Sequence, residues 1–387
     1  MMRGLEKWLL GLRRRPQRLV ENPLGTRHVM VALCNRLSSS ASNSDKSAIL
    51  RRWFGEYAGL REGSPRISSF SLKHTFFLSP GEASAPWVPE LAALCRAAEC
   101  EIELASPRDT KSANQRRDLM EAGKETLAQS GWLGRDPSGS ARFCFVHRAE
   151  GSSAFGLEDQ AGMLRDAGCA ASFPFDLRPG MLPEEFENSL VYFHESEAAG
   201  PRQGLRRVRA ERETRGSDRA GLLVVPPPFC PESSRKTFGF RPEIDQGEIG
   251  AAAFPTADRL HRWLECRMTV EARPNWLFVV LHIDGFAPEN AGMLFGEPMR
   301  EFTRKLRSMA ARDRTLCFHG VAARELVNIL HAAEAGHSGD PRRFRDFRYQ
   351  PPPAIAENRP RCGAPSEKAE ETTALRPAAE NEALPRS

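Results

Sequence analysis

The chain has 387 residues, 40% apolar and 27% charged, which is enough apolar material for a sizeable core and excludes disorder throughout. No apolar run approaches the roughly 20 residues of a membrane-spanning helix, because Arg, Lys, Glu or Pro interrupts every one, so a polytopic membrane protein is excluded. The formal charge of +5 comes largely from Arg13, Arg14, Arg15 and Arg18 and from the stretch Arg202 to Arg219; neither is interleaved with aromatics, so both read as solvated basic faces and no nucleic-acid binding is expected.

Residues 1–24 read as an amphipathic, basic segment. Leu5, Trp8, Leu9 and Leu12 recur at helical spacing, a pattern that docks on the protein or makes peripheral contact with an anionic membrane. The apolar run is too short for a secretory signal. From His28 onward, strand-like runs are regularly followed by helical ones, the mark of βα units around a parallel sheet. Strand His28–Cys34 leads to helix Ala48–Leu60, and strand His74–Leu78 to helix Val88–Ala98. Strand Cys100–Ala105 leads to helix Gln115–Gln129, then strand Arg142–His147 to helix Leu157–Ala167, with strand Cys169–Phe173 directly after. The middle is less regular: Leu190–Phe193 and Leu222–Val225 read as strands around an irregular basic insertion at about 195–220. Regularity returns with helix Thr256–Met268, strand Trp276–Ile283, helix Pro298–Ala311, strand Leu316–His319 and helix Ala323–Ala335. Residues 351–387 shift to Pro, Ala and Glu without periodicity and read as a disordered tail.

Seven or eight strands alternating with helices over residues 25–350 favour an α/β fold of the (β/α)-barrel type over a doubly wound open sheet. No G-x-G-x-x-G follows the first strand, where Cys34-Asn35-Arg36 stands, and neither a P-loop nor a nucleophile elbow is present. The nine cysteines are scattered, with no Cys-x-x-Cys and no Cys/His spacing of a tetrahedral metal site. Singletons in apolar runs, such as Cys34, Cys144 and Cys317, behave as small hydrophobes and fit a reducing, cytoplasmic location.

Several segments resemble the polysaccharide deacetylase-like branch of the glycoside hydrolase/deacetylase β/α-barrel superfamily. They are Val29-Met30-Val31-Ala32-Leu33-Cys34, His74-Thr75-Phe76-Phe77, Leu91 to Cys95 with Glu101-Ile102, Phe143 to His147, Leu277 to His282, Gly296-Glu297-Pro298-Met299, and Ala323 to Leu326 with Ala333 to Pro341. The resemblance spans about residues 28–350 and implies a metal-dependent deacetylase site that this chain has lost. An expected Asp-His-Phe-Glu-Pro reads Asn35-Arg36-Leu37-Ser38-Ser39, and an expected His-x-His-His-Asp reads Glu103-Leu104-Ala105-Ser106-Pro107. Only His282-Ile283-Asp284-Gly285 keeps part of a His-x-His-Gly pattern. Such enzymes hold a divalent ion with a carboxylate and two imidazoles to activate water, which Asn, Ala and Ser cannot do. No metal and no cofactor are therefore expected at this site.

In a parallel barrel the strand C-termini face the pocket, which singles out His282, Asp284, His147 and Glu103, with Asp109 and Glu150 in the following loops. Carboxylates and imidazoles of this kind run acid/base chemistry when they converge. Among aromatics, Trp132 and Trp276 are candidates, Trp276 with packing as its default role, and Phe155, Phe229 and Phe286 in loops are favoured to line a sugar groove. The expected function is a degenerate, metal-free relative in cell-surface polysaccharide metabolism that binds or regulates, with carbohydrate or polysaccharide-biosynthesis proteins as partners. The rival readings are a carbohydrate deacetylase or other hydrolase with a rearranged site, and a scaffold that engages a partner or membrane surface.

Overall fold

The computed structural model describes residues 25–37, 41–62, 72–107, 112–149, 157, 160–178, 181, 184–194, 205–208, 221–231 and 244–356. Its centre is a mostly parallel sheet. In chain order the strands are β1 (Arg27–Arg36), β2 (His74–Leu78), β3 (Glu101–Ala105), β4 (Gly134–Arg135), β5 (Ala141–Arg148), β6 (Cys169–Phe175), β7 (Val191–Phe193), β8 (Leu205–Arg207) and β9 (Leu222–Val224). A short antiparallel ribbon, β10 (Cys230–Pro231) and β11 (Ile244–Asp245), precedes β12 (Trp276–Asp284) and β13 (Leu316–Val321). The ladder runs β12-β1-β2-β3-β5-β6-β9-β7-β8; β13 lies beside the first half of β1 and β2 beside the second. Among the described residues, only the pairings of β4 with β5 and of β7 with β8 and β9 are antiparallel in this sheet.

The helices are α1 (Asn43–Glu62), α2 (Val88–Ala98), α3 (Ala113–Gln129), α4 (Ala161–Asp166), α5 (Ala257–Glu265), α6 (Glu297–Arg312), α7 (Ala323–Glu334) and α8 (Pro353–Ala356). Short polar side chains start two of them: Ser112 accepts from the Gln115 amide and Thr256 from the Arg259 amide, satisfying amides that the first turn leaves free. Strand alternation then sorts the core into two layers. Val29, Val31 and Leu33 of β1 join Leu277, Val279 and Leu281 of β12 and the apolar faces of α1 to α6, including Trp53, Leu91, Leu127, Trp263 and Phe302. Met30, Ala32 and Cys34 join Phe278, Val280, Cys144, Val146 and Phe173 on the other face, against α7.

The sheet curls around that second face. In a flat sheet β1 and β6 would lie four steps apart, about 19 Å at ~4.8 Å per strand. Instead the Arg36 guanidinium carbon sits 3.9 Å from the ring centre of Phe175. Helix α7 fills the concave side, and all twelve of its residues are buried. Its polar side chains are satisfied one by one, as burial demands. Arg324 pairs with Glu101 at 2.8 Å and Asp346 at 2.8 Å, and donates to the Tyr349 carbonyl. Glu325 pairs with Lys73, Asn328 bonds the backbone at Arg345, Arg348 and Tyr349, and Glu334 receives His331 and the Tyr192 hydroxyl. At its first turn, the Ala323 amide donates to the Thr75 hydroxyl and the Ala322 amide to Glu325.

Three expectations about organisation change. The basic insertion contains β8, which pairs antiparallel with β7 from Val191↔Arg207 to Phe193↔Leu205. The region expected to be tail begins with α8, whose Ile355 is buried and whose Ala354 amide donates to the Gly131 carbonyl. Gly131 has φ +73°, and a Cβ there would come within 3.4 Å of the Ala354 nitrogen, so glycine permits the approach. The helix expected at 157–167 is confined to α4. Residues 1–24, most of the arginine-rich stretch and residues 357–387 lie outside the described residues. Among the described residues no helix is long and apolar enough to cross a membrane.

Burial works against the Arg324 cation, but Glu101, Asp346 and Glu325 outweigh it and raise its pKa. Removing one partner leaves uncompensated buried charge. Arg324→Ala is expected to lower unfolding stability by about 3–5 kcal/mol in a urea titration. Arg304→Ala, which breaks an exposed ion pair with Glu297, is expected to cost about 1 kcal/mol or less.

Candidate functional site

The C-terminal ends of β1, β5, β6 and β12 bring a compact set of side chains together. The register pairs Cys34 with His282, Asn35 with Ile283 and Arg36 with Asp284. Paired residues of neighbouring strands share a face. His282, Asp284 and Arg36 therefore belong to the concave face, and Asn35 to the face of Ile283, in the helix-covered layer. The Asn35 amide meets His74 Nδ1 at 3.1 Å, and its Oδ1 lies 3.4 Å from where a Cβ on Gly285 would stand. Asn35 was the expected stand-in for the missing acid of β1. The residue that reaches the concave face there is Arg36.

Arg36 is buried, stacks on Phe175 and pairs with Glu248 at 3.0 Å. Arg148 lies 5.7 Å from the same ring and pairs with Asp176 at 3.7 Å. The His282 ring is 6.0 Å from Phe175. Only 1% of His282 is exposed, and among the described residues neither ring nitrogen has a hydrogen-bond partner; the Nε of Arg36 also lacks one. A buried polar atom without a partner is costly, and such atoms are few in folded proteins. Burial, then Arg36 and then His147, lower the His282 pKa to about 3, so its ring is neutral at pH 7.

The wall beside His282 is built by residues 245–249. His282 donates its amide to the Gly247 carbonyl at 3.0 Å and accepts from the Ile249 amide at 2.8 Å. Gly247 has φ +70°, and a Cβ there would sit 2.8 Å from the Val280 carbonyl oxygen, so this close edge requires glycine. Asp245 anchors the segment, taking a two-pronged bond from Arg259 at 2.7 and 2.8 Å and accepting from the Gly247 amide.

The other expected site residues lie differently. Glu103 is buried on the concave face and accepts from the Cys144 amide at 2.8 Å. Burial and the neighbouring Glu101 push its carboxyl well above the usual carboxylate range. That bond satisfies a buried amide of β5, which is a structural duty. His147 shares its strand face with Phe145, on which it stacks at 5.6 Å, and its Nδ1 meets the Ser172 hydroxyl at 3.1 Å. Asp109, Glu150 and Phe155 lie outside the described residues. Phe229 and Phe286, expected in a groove, are core: Phe286 is wedged between Trp53 and Trp87, and Phe229 is 6% exposed. Trp132 and Trp276 are buried too.

Arg36, Phe175, Arg148 and Glu248 were not singled out from sequence. Arg36 was within reach of it, since Met30, Ala32 and Cys34 count by twos to Arg36. Compared with protein-family models, curated proteins and solved structures, the chain matches none.

A histidine protonated in the unfolded chain but not in the fold makes stability fall as pH drops from about 6.5 towards its folded value. His282 is therefore expected to contribute a loss of up to about 1.4 kcal/mol per pH unit between pH 6 and 4. Unfolding titrations across that range are expected to show a shallower fall in His282→Gln, and the His282 ring signals in NMR to stay fixed from pH 8 to 5.

Proposed function

We propose that the chain is a (β/α)-barrel protein of the polysaccharide deacetylase-like type, and more narrowly a degenerate member of cell-surface polysaccharide metabolism that binds or regulates without metal-dependent hydrolysis at its rim. The barrel reading is supported by the curl of the sheet and by backbone bonds that lead between its two outer strands. Glu271 donates to the Val208 carbonyl beyond β8, and Phe278 of β12 donates to the Met268 carbonyl.

One observation carries the functional reading: at the end of β1, the concave position beside His282 and Asp284 holds a buried guanidinium. A fixed cation disfavours a metal dication in the same few ångströms and lowers the basicity of the imidazole that would ligate it. The same arrangement suits an anion. Among the described residues the Arg36 Nε–H has no partner, although Glu248 takes its Nη2, and Arg148, paired with Asp176, adds positive charge at the edge. An acidic sugar, with its carboxylate at the exposed Arg148 edge and the Arg36 charge behind it, fits this set. The partners are then acidic oligosaccharides or the proteins that make them, in the cytoplasm.

Calorimetric titration is expected to show binding of uronic-acid oligosaccharides over neutral ones of equal length, weakened at least about tenfold in Arg36→Ala, with no acetate released from acetylated forms. Acetate release accompanied by a bound metal, both lost in His282→Ala, overturns the proposal in favour of a working deacetylase.

A further inference from the structure

The opposite end of β1 carries a second cluster. In the parallel register of β1 and β13, His28 faces Cys317, and Met30 faces His319, so all three polar side chains share the concave strand face. His28 Nδ1 and His319 Nε2 point at one another across 2.9 Å, with ring centres 5.1 Å apart. A ligand atom from each of His28, Cys317 and His319 lies within 4.8 Å of the others. The cluster joins residues 291 apart in sequence, which is why spacing rules for metal motifs give no sign of it.

We propose that His28, His319 and Cys317 form a binding site for one borderline transition-metal dication, zinc by donor preference. Two imidazole nitrogens and one sulfur make a set that zinc, cobalt and nickel favour over the oxygen-seeking magnesium and calcium. Two nitrogens on one tetrahedral ion stand about 3.3 Å apart, so the rings need to part by only a few tenths of an ångström. Burial lowers the pKa of both rings, that of His319 to about 4, which favours the neutral imidazole. As the metal bonds form, the proton held between the two rings passes through solvent to the outer nitrogen of the ring that carried it, and the thiol proton leaves to solvent.

The surroundings fit one ion with an open position. His28 and Cys317 are half-buried, which leaves access from solvent, and His319 forms the deeper wall. Asp340 and Arg342 act on all three groups with opposite sign and are paired with one another, Arg342 Nε at 2.8 Å and Nη2 both donating to the carboxylate, so their charges largely offset and the fourth position falls to water. Arg345 reaches the same region, donating to the Gly320 carbonyl. This site stands eight residues along β1 from Arg36, about 26 Å, and is separate from the rim. At the N-terminal ends of parallel strands, residues serve stability more than chemistry. The ion would clasp the first strand to the last.

The test is cobalt titration of the chelator-treated full chain, followed by absorption. The expected result is saturation at one equivalent, with a thiolate-to-cobalt charge-transfer band that zinc bleaches. Cys317→Ser, a conservative change at a half-buried position, is expected to lose that band with an unchanged circular dichroism spectrum. His28→Ala with His319→Ala is expected to abolish saturation, and zinc is expected to raise the melting temperature of the unaltered chain only. His282→Ala is expected to keep full cobalt binding, so failure here and failure of the rim proposal are separable. Absence of the band in the unaltered chain, or its survival in Cys317→Ser, overturns the inference.

Discussion

β1 is paired along its whole length with β12, and on its other side with β13 and then β2, while helices cover one face and α7 the other. A strand buried on both faces has no freedom of register, since a slip of one residue exchanges its two faces completely. That constraint sends Met30, Ala32, Cys34 and Arg36 inward and Val29, Val31, Leu33 and Asn35 towards the helices. It also places His28 on the inner face at the far end. Both sites discussed above are consequences of this one alternation.

Helix α7 explains how the inner face is filled. Curled sheets need something large in the concavity, and here it is a helix that carries Arg, Glu, Asn and His into the interior. Each charged or amide group is met by a partner fixed elsewhere in the chain, such as Glu101, Lys73 or the backbone around Tyr349. A network of this kind favours one placement of the helix, because a shift by one turn would orphan several buried charges at once. With Thr75 and Glu101, both near strand starts, as its anchors, α7 leaves the strand ends around His282 to other chemistry.

At that rim the balance of charge matters more than the count of titratable groups. His282 is neutral and, among the described residues, without a hydrogen-bond partner on its ring, while Arg36 and Arg148 gather at Phe175. The carboxylates of Glu248 and Asp176 pair with these two guanidiniums, and Arg36 stands between the β12 end and any ion that would approach it. The two imidazoles and thiol at the other end of β1 have the opposite character, since they offer lone pairs to a cation. The same strand thus carries a guanidinium at one end and an imidazole at the other.

The sequence by itself determined the elements: apolar runs and helical periodicity located β1, β2, β3, β5, β6, β12, β13 and the helices between them to within a few residues, because local burial patterns impose those periods. It also pointed to His282 and Asp284, which stand at the end of the most hydrophobic strand. Only the tertiary structure decided that Arg36 and not Asn35 adjoins them, that Glu103 serves the ladder, that α7 is enclosed on every side, and that His28 meets His319. Each of these depends on which strands lie side by side and how far the sheet curls, and pairings between residues hundreds of positions apart leave no mark on local pattern.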